Sequence, residues 1–493
     1  MKKTFTTLCM ALLAVLAMNA ETYRGLIVVT RNGQDYPKNV TVTATEGENG
    51  LYYFKLEVPM FGTMEMFDVP ADTQNGITVF SAVRDVSTAF GNMRTTLFAR
   101  VTDGMMAANV AIPSYNTTMW FNTVGDHFQL PNSDMESWTN DLGEPDRWHG
   151  FKSADGTYAG ISSGLVKLEQ SDDVRSGATG HSAVMTANSL AGIVANGTMT
   201  NGQLMAGSMS ATSTANHAEM DKSKGTDEFY MPLYAKPDKF NVWLKYTPGT
   251  ANANYKANVS VKTFDGTYYQ EPTDKTYTNL SGSIVGGQIP AGDWTQYSFP
   301  FDYDSYAANN ASSEAIFVTF STNGNPGQGS KNDALYVDDI QLVYLASMTD
   351  LRYQGTTISG WNPAVKSYNM DFTAVPNLDD FTADITGASA VLTKTMEQNA
   401  DGTYRIAISV VSGDLQTASC YLINATVTAP EINLGDVDDD GSINIADITT
   451  LIDYILTGDV PHINMLNADV DMDGVLGIAD VTKITDYLLK GSF

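Results

Sequence analysis

Along most of the chain, apolar and polar residues alternate with a period of two, in short runs broken by turn-forming residues. From Tyr23 to about His127 the runs YRGLIVVT, NVTVTAT, LYYFKLEV and ITVFSAV each predict a strand with one face in a core. RNGQ and EGENG predict hairpin turns between them. Strands so closely spaced predict an up-and-down barrel or a sandwich, and a small barrel of this kind is expected to fill with its own side chains. Further on, KFNVWLKYTP, ANVSVKTF, WTQYSFPF and EAIFVTFST, set among loops rich in Gly, Asn and Ser, predict a jelly roll. MTDLRYQGTTISGWNPAVKSYNMDF and GTYRIAISVVSGDLQTASCYLINATV predict a small Ig-like sandwich, a spacer. The period changes only near the C-terminus. Ile448, Leu451, Ile452 and Ile455, then Val481, Ile484 and Leu488, recur at three and four residues, which predicts two helices with one apolar face each. The expected class is mainly β and multi-domain, closed by an all-α module whose two helices bury their faces together.

A chain of 493 residues is too long for one core. The expected segments are a leader at 1–20, a β-barrel at 21–127, a jelly roll at 128–345, an Ig-like sandwich at 346–430 and the helical module at 431–493. The leader MKKTFTTLCMALLAVLAMNA has Lys2 and Lys3 at its start, an apolar stretch from Leu8 to Met18, and small residues at Ala17 and Ala20. These are the marks of a signal peptide cleaved after Ala20, and the apolar stretch is too short to span a bilayer. The mature protein is therefore expected to be secreted or held at the cell surface. Cys9 lacks the small residues of a lipid-anchor site. After cleavage Cys420 is left alone, so stability must come from cores and metals rather than disulfides. Cys420 lies in the apolar run ASCYLI and reads as a buried thiol.

Charge narrows the choice of partner. With 28 Lys+Arg against 56 Asp+Glu the formal net charge is -28, a field that repels nucleic acid and anionic membranes and favours cations and neutral ligands. Part of the acid falls into a spaced pattern that occurs twice. GDVDDDGSINIADITTLIDYILTG at 435–458 aligns without gaps to ADVDMDGVLGIADVTKITDYLLKG at 468–491. Such a repeat rarely arises by chance. In the first copy Asp436, Asp438 and Asp440 occupy loop positions one, three and five, and Gly441 at six permits the turn that folds them inward. Ser442 offers its backbone carbonyl, Asn444 its side chain or a bound water, and Asp447 at twelve closes the set. The second copy supplies Asp469, Asp471, Asp473, Gly474, the carbonyl of Val475, and Asp480, with a water expected opposite Gly477. All donors are hard oxygens, which selects Ca2+ over softer metals, and the loops follow the EF-hand spacing. Asp replaces the usual Glu at twelve, and no helix is expected ahead of the first loop. Metal binding is expected to be coupled to folding.

These residues closely resemble a type I dockerin. The resemblance implies a cohesin-like partner, recognised largely through loop positions ten and eleven, here Ile445–Ala446 and Ile478–Ala479. The same pair stands in both repeats, so docking in either of two orientations is expected. Residues 22–113 resemble the calycin-like barrels of secreted Bacteroidetes proteins. The segment VRSGATGHSAVMTANSLAGIVANGTMTNGQL, followed by PDKFNVWLKY, resembles a carbohydrate-metabolism domain of gut Bacteroidetes and covers about residues 130–345. The opening MESW and closing VDDIQL motifs resemble the bounds of carbohydrate-binding jelly rolls, which often hold a structural cation. Glu136 and Asp338 are the candidates to bind it here.

No catalytic constellation is evident. The five histidines, His127, His149, His181, His217 and His462, lie in no metal-ligand spacing, and no nucleophile elbow, phosphate loop or dinucleotide fingerprint occurs. Binding of polysaccharide is the expected role of the jelly roll, with loop aromatics Trp148, Tyr268, Tyr269 and Tyr303 as sugar platforms and Trp243 as core. A glycoside hydrolase active in the jelly roll, and a structural surface protein capped by its C-terminal module, stand as alternatives.

Overall fold

The computed structural model describes residues 20–493 except 33, 48, 49, 75, 103, 124–127, 225, 226, 253, 400 and 429–431. Residues 1–19 of the leader and His127 thus lie outside the described residues. Among those described, no helix is long and apolar enough to cross a membrane.

The first eight strands are Ala20–Arg31, Gln34–Glu46, Leu51–Val58, Gly62–Gln74, Ile77–Thr88, Gly91–Thr102, Met105–Ile112 and Thr117–Thr123. They close into a meander barrel in chain order, the first strand pairing antiparallel with the eighth from Gly25↔Thr123 to Arg31↔Thr117. Gly25 makes that seam possible: a Cβ there would lie 1.9 Å from the Asn122 carbonyl oxygen. The alternation in the sequence points Ile27, Val29, Phe54, Met64, Phe80 and Met119 inward. They leave a void of about 30 Å³, enough for one water-sized probe. The barrel is thus filled by its own core.

A longer sheet system follows. Its strands run in the spatial order Thr198–Thr200, Ala315–Ser321, Ala257–Phe264, Leu280–Ile284, Gly292–Asp302, Lys239–Thr247, Ala334–Val343, Ser182–Thr186 and Lys167–Ser171. Val259, Val261, Val318, Phe320, Phe240, Val242, Leu244 and Val337 point to one side and form the largest core. The alternate residues of Ala257–Phe264 and Ala315–Ser321 face outward. A small sheet of Gln203–Ala206, Asn216–Met220 and Tyr269–Glu271, a hairpin of Asn188–Leu190 and Ile193–Ala195, and a short helix α1 (Ala159–Leu165) build up around that outward face.

Ser347–Tyr353 pairs with Phe381–Thr386 and with Thr356–Thr357 in a three-stranded sheet. Val391–Gln398, Tyr404–Val411, Ala418–Val427 and Ser367–Phe372 form a four-stranded one. Cys420 is buried with Val83, Ala111, Ala407 and Leu422, and burial pushes its thiol up to about 11, so it is an inert core residue.

By packing, the chain divides into two compact units, and the C-terminal helices belong to the second. They are α2 (Ile445–Thr457), α3 (Met465–Ala468) and α4 (Ile478–Lys490). Leu451 of α2 and Ile484 of α4 are fully buried, with Val437, Ala468 and Val470 between them. Ile448, Ile455 and Val481 pack at the edge of this core. Leu488, expected on the buried face, is 37% exposed: the small core ends one turn earlier. The short helix α3 ahead of the second loop was not foreseen from the periodicity.

Candidate functional site

The two acidic loops have the same internal wiring. In the first, the carboxylate of Asp436 accepts from the amides of Asp440 (3.1 Å) and Gly441 (3.0 Å). In the second, Asp469 accepts from Asp473 (3.1 Å) and Gly474 (3.0 Å). Gly441 and Gly474, at φ +86° and +82°, occupy the left-handed region that the turn requires. Folding in this way brings oxygens of Asp436, Asp438 and Asp440 within 4.8 Å of one another, and does the same for Asp469, Asp471 and Asp473. Among the described residues these are the only clusters of three potential ligand side chains. Desolvation first, and then the charges of Asp447 and Asp440, push Asp438 above the usual carboxylate range. Hard carboxylate oxygens, a cluster of like charge and a turn that aims them inward together fit calcium.

The aspartates at position twelve carry a structural duty as well. Asp447 is wholly buried and accepts from Val437 (2.6 Å), Asp438 (3.2 Å) and Asn444 (2.7 Å) amides. Asp480, equally buried, accepts from Val470 (2.8 Å), Asp471 (3.2 Å) and Gly477 (2.9 Å). Each thereby fastens the loop entrance to the helix start. Asp is short enough to do this at position three of the helix, where it also completes a cap. The repeats part at position nine. The Asn444 side chain accepts from the Ala446 amide (2.7 Å) and donates to the Ser442 carbonyl (3.1 Å), capping α2. Gly477 has no side chain, so α4 keeps only the Asp480 half of the cap.

Asn467, which the sequence reading passed over, ties the repeats together. It is 1% exposed, donates to the Asp436 carbonyl (3.0 Å), and accepts from the Asn433 amide (2.8 Å). Outside the loops the surface is apolar and twofold. Ile445 and Ile478 are 71% and 70% exposed, and Ala446 and Ala479 are exposed beside them. Leu456 and Leu489, each one repeat apart, are 76% and 77% exposed, a second matched pair not singled out by the sequence.

Of the four sugar platforms expected in the jelly roll, the structure buries Trp148 and Tyr269 and leaves Tyr268 and Tyr303 partly exposed. Trp148 is 1% exposed, donates to the Pro131 carbonyl (3.2 Å) and packs on Phe320; it anchors its loop in the core. Tyr269, also 1% exposed, packs on Phe264, Phe317 and Tyr277. Tyr303 is half-buried, with its hydroxyl on the Pro237 carbonyl (2.7 Å), and Tyr268 is half-buried with its hydroxyl on Gln270 (2.6 Å). Trp243, expected in the core, lies on the other face of its strand under the Arg175 guanidinium (5.1 Å). Glu136 is exposed and accepts from the His181 amide (2.9 Å), whereas Asp338 is 3% exposed. Burial, then the charge of Asp339, raise Asp338 to about 7, and Glu136 adds to the effect.

A cleft of about 490 Å³ lies elsewhere, over the outward face of Ala257–Phe264 and Ala315–Ser321. None of the four expected platforms lines it. The residues of its polar floor, Asn258, Ser260, Thr319 and Ser321, were missed because they are short and uncharged. The signal available was these outward Asn, Ser and Thr positions on two neighbouring strands. Beside the cleft Glu219 is buried. Desolvation alone would raise it, but hydrogen bonds from His217 (2.9 Å) and Lys224 outweigh that and hold it at about 2.

Residues 434–489 match the family model of the dockerin type I domain, and this C-terminal segment is such a domain. No curated protein matches the chain. Solved structures with some similarity include the M60 catalytic domain with the CBM51-1 and CBM51-2 domains from Clostridium perfringens ZmpB, at 10% identity and TM-score 0.17, covering 86% of this chain. The chain spans 40% of that structure's length. Another is the N-terminal CBM22-1-CBM22-2 tandem domain from Paenibacillus barcinonensis Xyn10C, at 9% identity and TM-score 0.22, covering 66% of this chain and 74% of that one. A third is PNGF-II, at 8% identity and TM-score 0.13, covering 68% and 77%. At these values none transfers a fold or a ligand to this chain.

Proposed function

We propose that this is a secreted glycan-handling protein that retains polysaccharide through its central sandwich and docks to a cohesin-like module through its dockerin. Its parts are a leader at 1–20, a barrel at 21–127, a jelly roll at 128–345, a spacer at 346–430 and the dockerin at 431–493. The observation that carries the proposal is the duplicated loop, with one internal wiring in both copies. Each loop takes one calcium ion. Asp436, Asp438, Asp440, the Ser442 carbonyl, Asn444 and Asp447 hold the first, and Asp469, Asp471, Asp473, the Val475 carbonyl and Asp480 hold the second. Bound calcium supplies the counter-charge that lets these carboxylates remain ionised side by side. A further calcium between Glu136 and Asp338 would relieve the buried Asp338, whose ionisation burial opposes.

The docking face is Ile445–Ala446 or its copy Ile478–Ala479, extended by Leu456 or Leu489. Matched pairs of aliphatic side chains left about 70% exposed are a liability unless a partner covers them, which favours docking over a mere cap. In the test, the full chain is titrated against a panel of cohesin modules with calcium and with chelator. Binding is expected only with calcium; Ala446→Arg or Ala479→Arg alone should leave it nearly intact, and the two together should abolish it. Binding that persists in chelator, or in the double variant, contradicts the proposal. Hydrolysis by a carboxylate pair is less well supported, because Glu271 is the one carboxylate lining the cleft. Release of reducing ends from a bound polysaccharide would reverse that preference.

A further inference from the structure

The cleft has two chemically distinct sides. Its floor is a ladder set by strand register. Thr198 lies opposite Ser321, and Ser321 opposite Asn258, while Thr319 lies opposite Ser260. All five line the cleft and are partly exposed, while their neighbours Val259, Val261, Val318 and Phe320 are buried on the other face. With neighbouring strands about 4.8 Å apart, the row Thr198–Ser321–Asn258 spans about 10 Å, the length of a disaccharide. The opposite side is aliphatic. Ile161 of α1, Leu190 and Ile193 of the hairpin, and Met209 line the cleft and are 50%, 40%, 41% and 42% exposed. The hairpin holds this position through Ala191 and Gly192, both at positive φ in its two-residue turn.

Three ligand classes can be weighed against that surface. Ser321 already donates to the Asn323 carbonyl (2.8 Å) and Asn258 accepts from Gln288 (2.7 Å), with longer bonds at Thr198 and Thr319, but an acyl chain would strip water from the remaining donors and acceptors and return no hydrogen bond, at a cost of roughly 1–3 kcal/mol for each group left unpaired. An acidic sugar or a phosphate would meet no Lys or Arg among the described lining residues, only the His217 ring already bonded to Glu219 (2.9 Å), and would face the Glu271 carboxylate. An uncharged sugar chain satisfies both sides, with hydroxyls on the ladder and C–H faces on the aliphatic wall. We propose that this cleft is a subsite for an uncharged oligosaccharide segment, with Asn258, Ser260 and Thr319 as binding residues. The proposal deepens the glycan-handling reading above and rests on it.

The test is affinity electrophoresis of the full chain through gels carrying xylan, mannan, mixed-linkage β-glucan or polygalacturonate, with Nile red binding as an apolar control. Retardation is expected on at least one neutral polysaccharide and not on polygalacturonate. Ser260→Trp, which fills the cleft, should abolish it. The milder pair Asn258→Leu with Thr319→Val, which preserves volume, should weaken it roughly tenfold through two lost hydrogen bonds. Retardation unchanged in both variants overturns the assignment of the cleft and leaves glycan handling intact. No retardation on any gel overturns both. Equal retardation by polygalacturonate, or Nile red binding that a fatty acid displaces in the absence of any retardation, overturns the uncharged-sugar assignment.

Discussion

Carboxylates are handled in opposite ways in the two compact units. In the central sandwich, Glu219 is 5% exposed and has its own partners, the His217 ring and the Lys224 ammonium, on the same small sheet or just beyond it. In the dockerin, Asp436, Asp438 and Asp440 face one another, and among the described residues no Lys, Arg or His makes an ion pair with them. Their hydrogen bonds come from backbone amides and, at Asp436, from the Asn433 side-chain amide (3.1 Å), neutral donors that orient a carboxylate without cancelling its neighbours' charge. At Glu219 the sandwich therefore supplies its own counter-charge, whereas the loop carboxylates find none among the described residues. In a chain of net charge -28 that contrast is what the proposed pair of calcium ions in the dockerin would offset.

The largest expected effect follows from removing the cation. Chelator should reduce the helical ellipticity contributed by α2 and α4 and leave the main thermal transition of the β-rich unit in place; equal loss from both would erase the contrast. Next is the loop brace. Asp447→Ala or Asp480→Ala strands three amides each and should destabilise the dockerin by roughly 4 kcal/mol in chemical denaturation with calcium present, where exposed Asp453→Ala changes little. The sandwich has its own pH signature. Because Glu219 is held at about 2, below its ordinary value of 4.5, its contribution is present above pH 4.5 and is lost as pH falls through about 2. The expected loss is about 3 kcal/mol, absent in Glu219→Gln, as measured by denaturation between those two pH values. The smallest effect separates the repeats from each other. Gly477→Asn restores the missing half of the cap at an extended φ of -148° and should stabilise α4 by a few tenths of a kcal/mol, while Asn444→Gly should cost α2 a similar amount.

The dockerin was legible because its chemistry is local. Ligands within twelve residues, a glycine at a fixed place and a helix period all lie in one window, and duplication checked each of them. Even there, sequence could not foresee Asn467, whose partners Asn433 and Asp436 lie across the repeat. Four of the eight barrel strands were legible for the same local reason, since each barrel strand pairs with its neighbour in the chain. The cleft was not legible. Thr198, Asn258 and Ser321 come from three separated strands and meet only through register. Aromatic content misled for a physical reason: Trp148 and Tyr269 are large, and a loop that must be anchored to a sandwich buries such rings first. Trp243 erred the other way, because in an alternating strand one phase shift decides which face is core.

Calcium titration by calorimetry tests the central claim most directly. The chelator-stripped full chain is compared with the double variant Asp436→Ala, Asp469→Ala, so that any ion bound elsewhere cancels. The wild-type chain should take up two more calcium ions than the variant, with heat and ellipticity changing together; equal uptake by the two proteins would contradict the account of the paired loops.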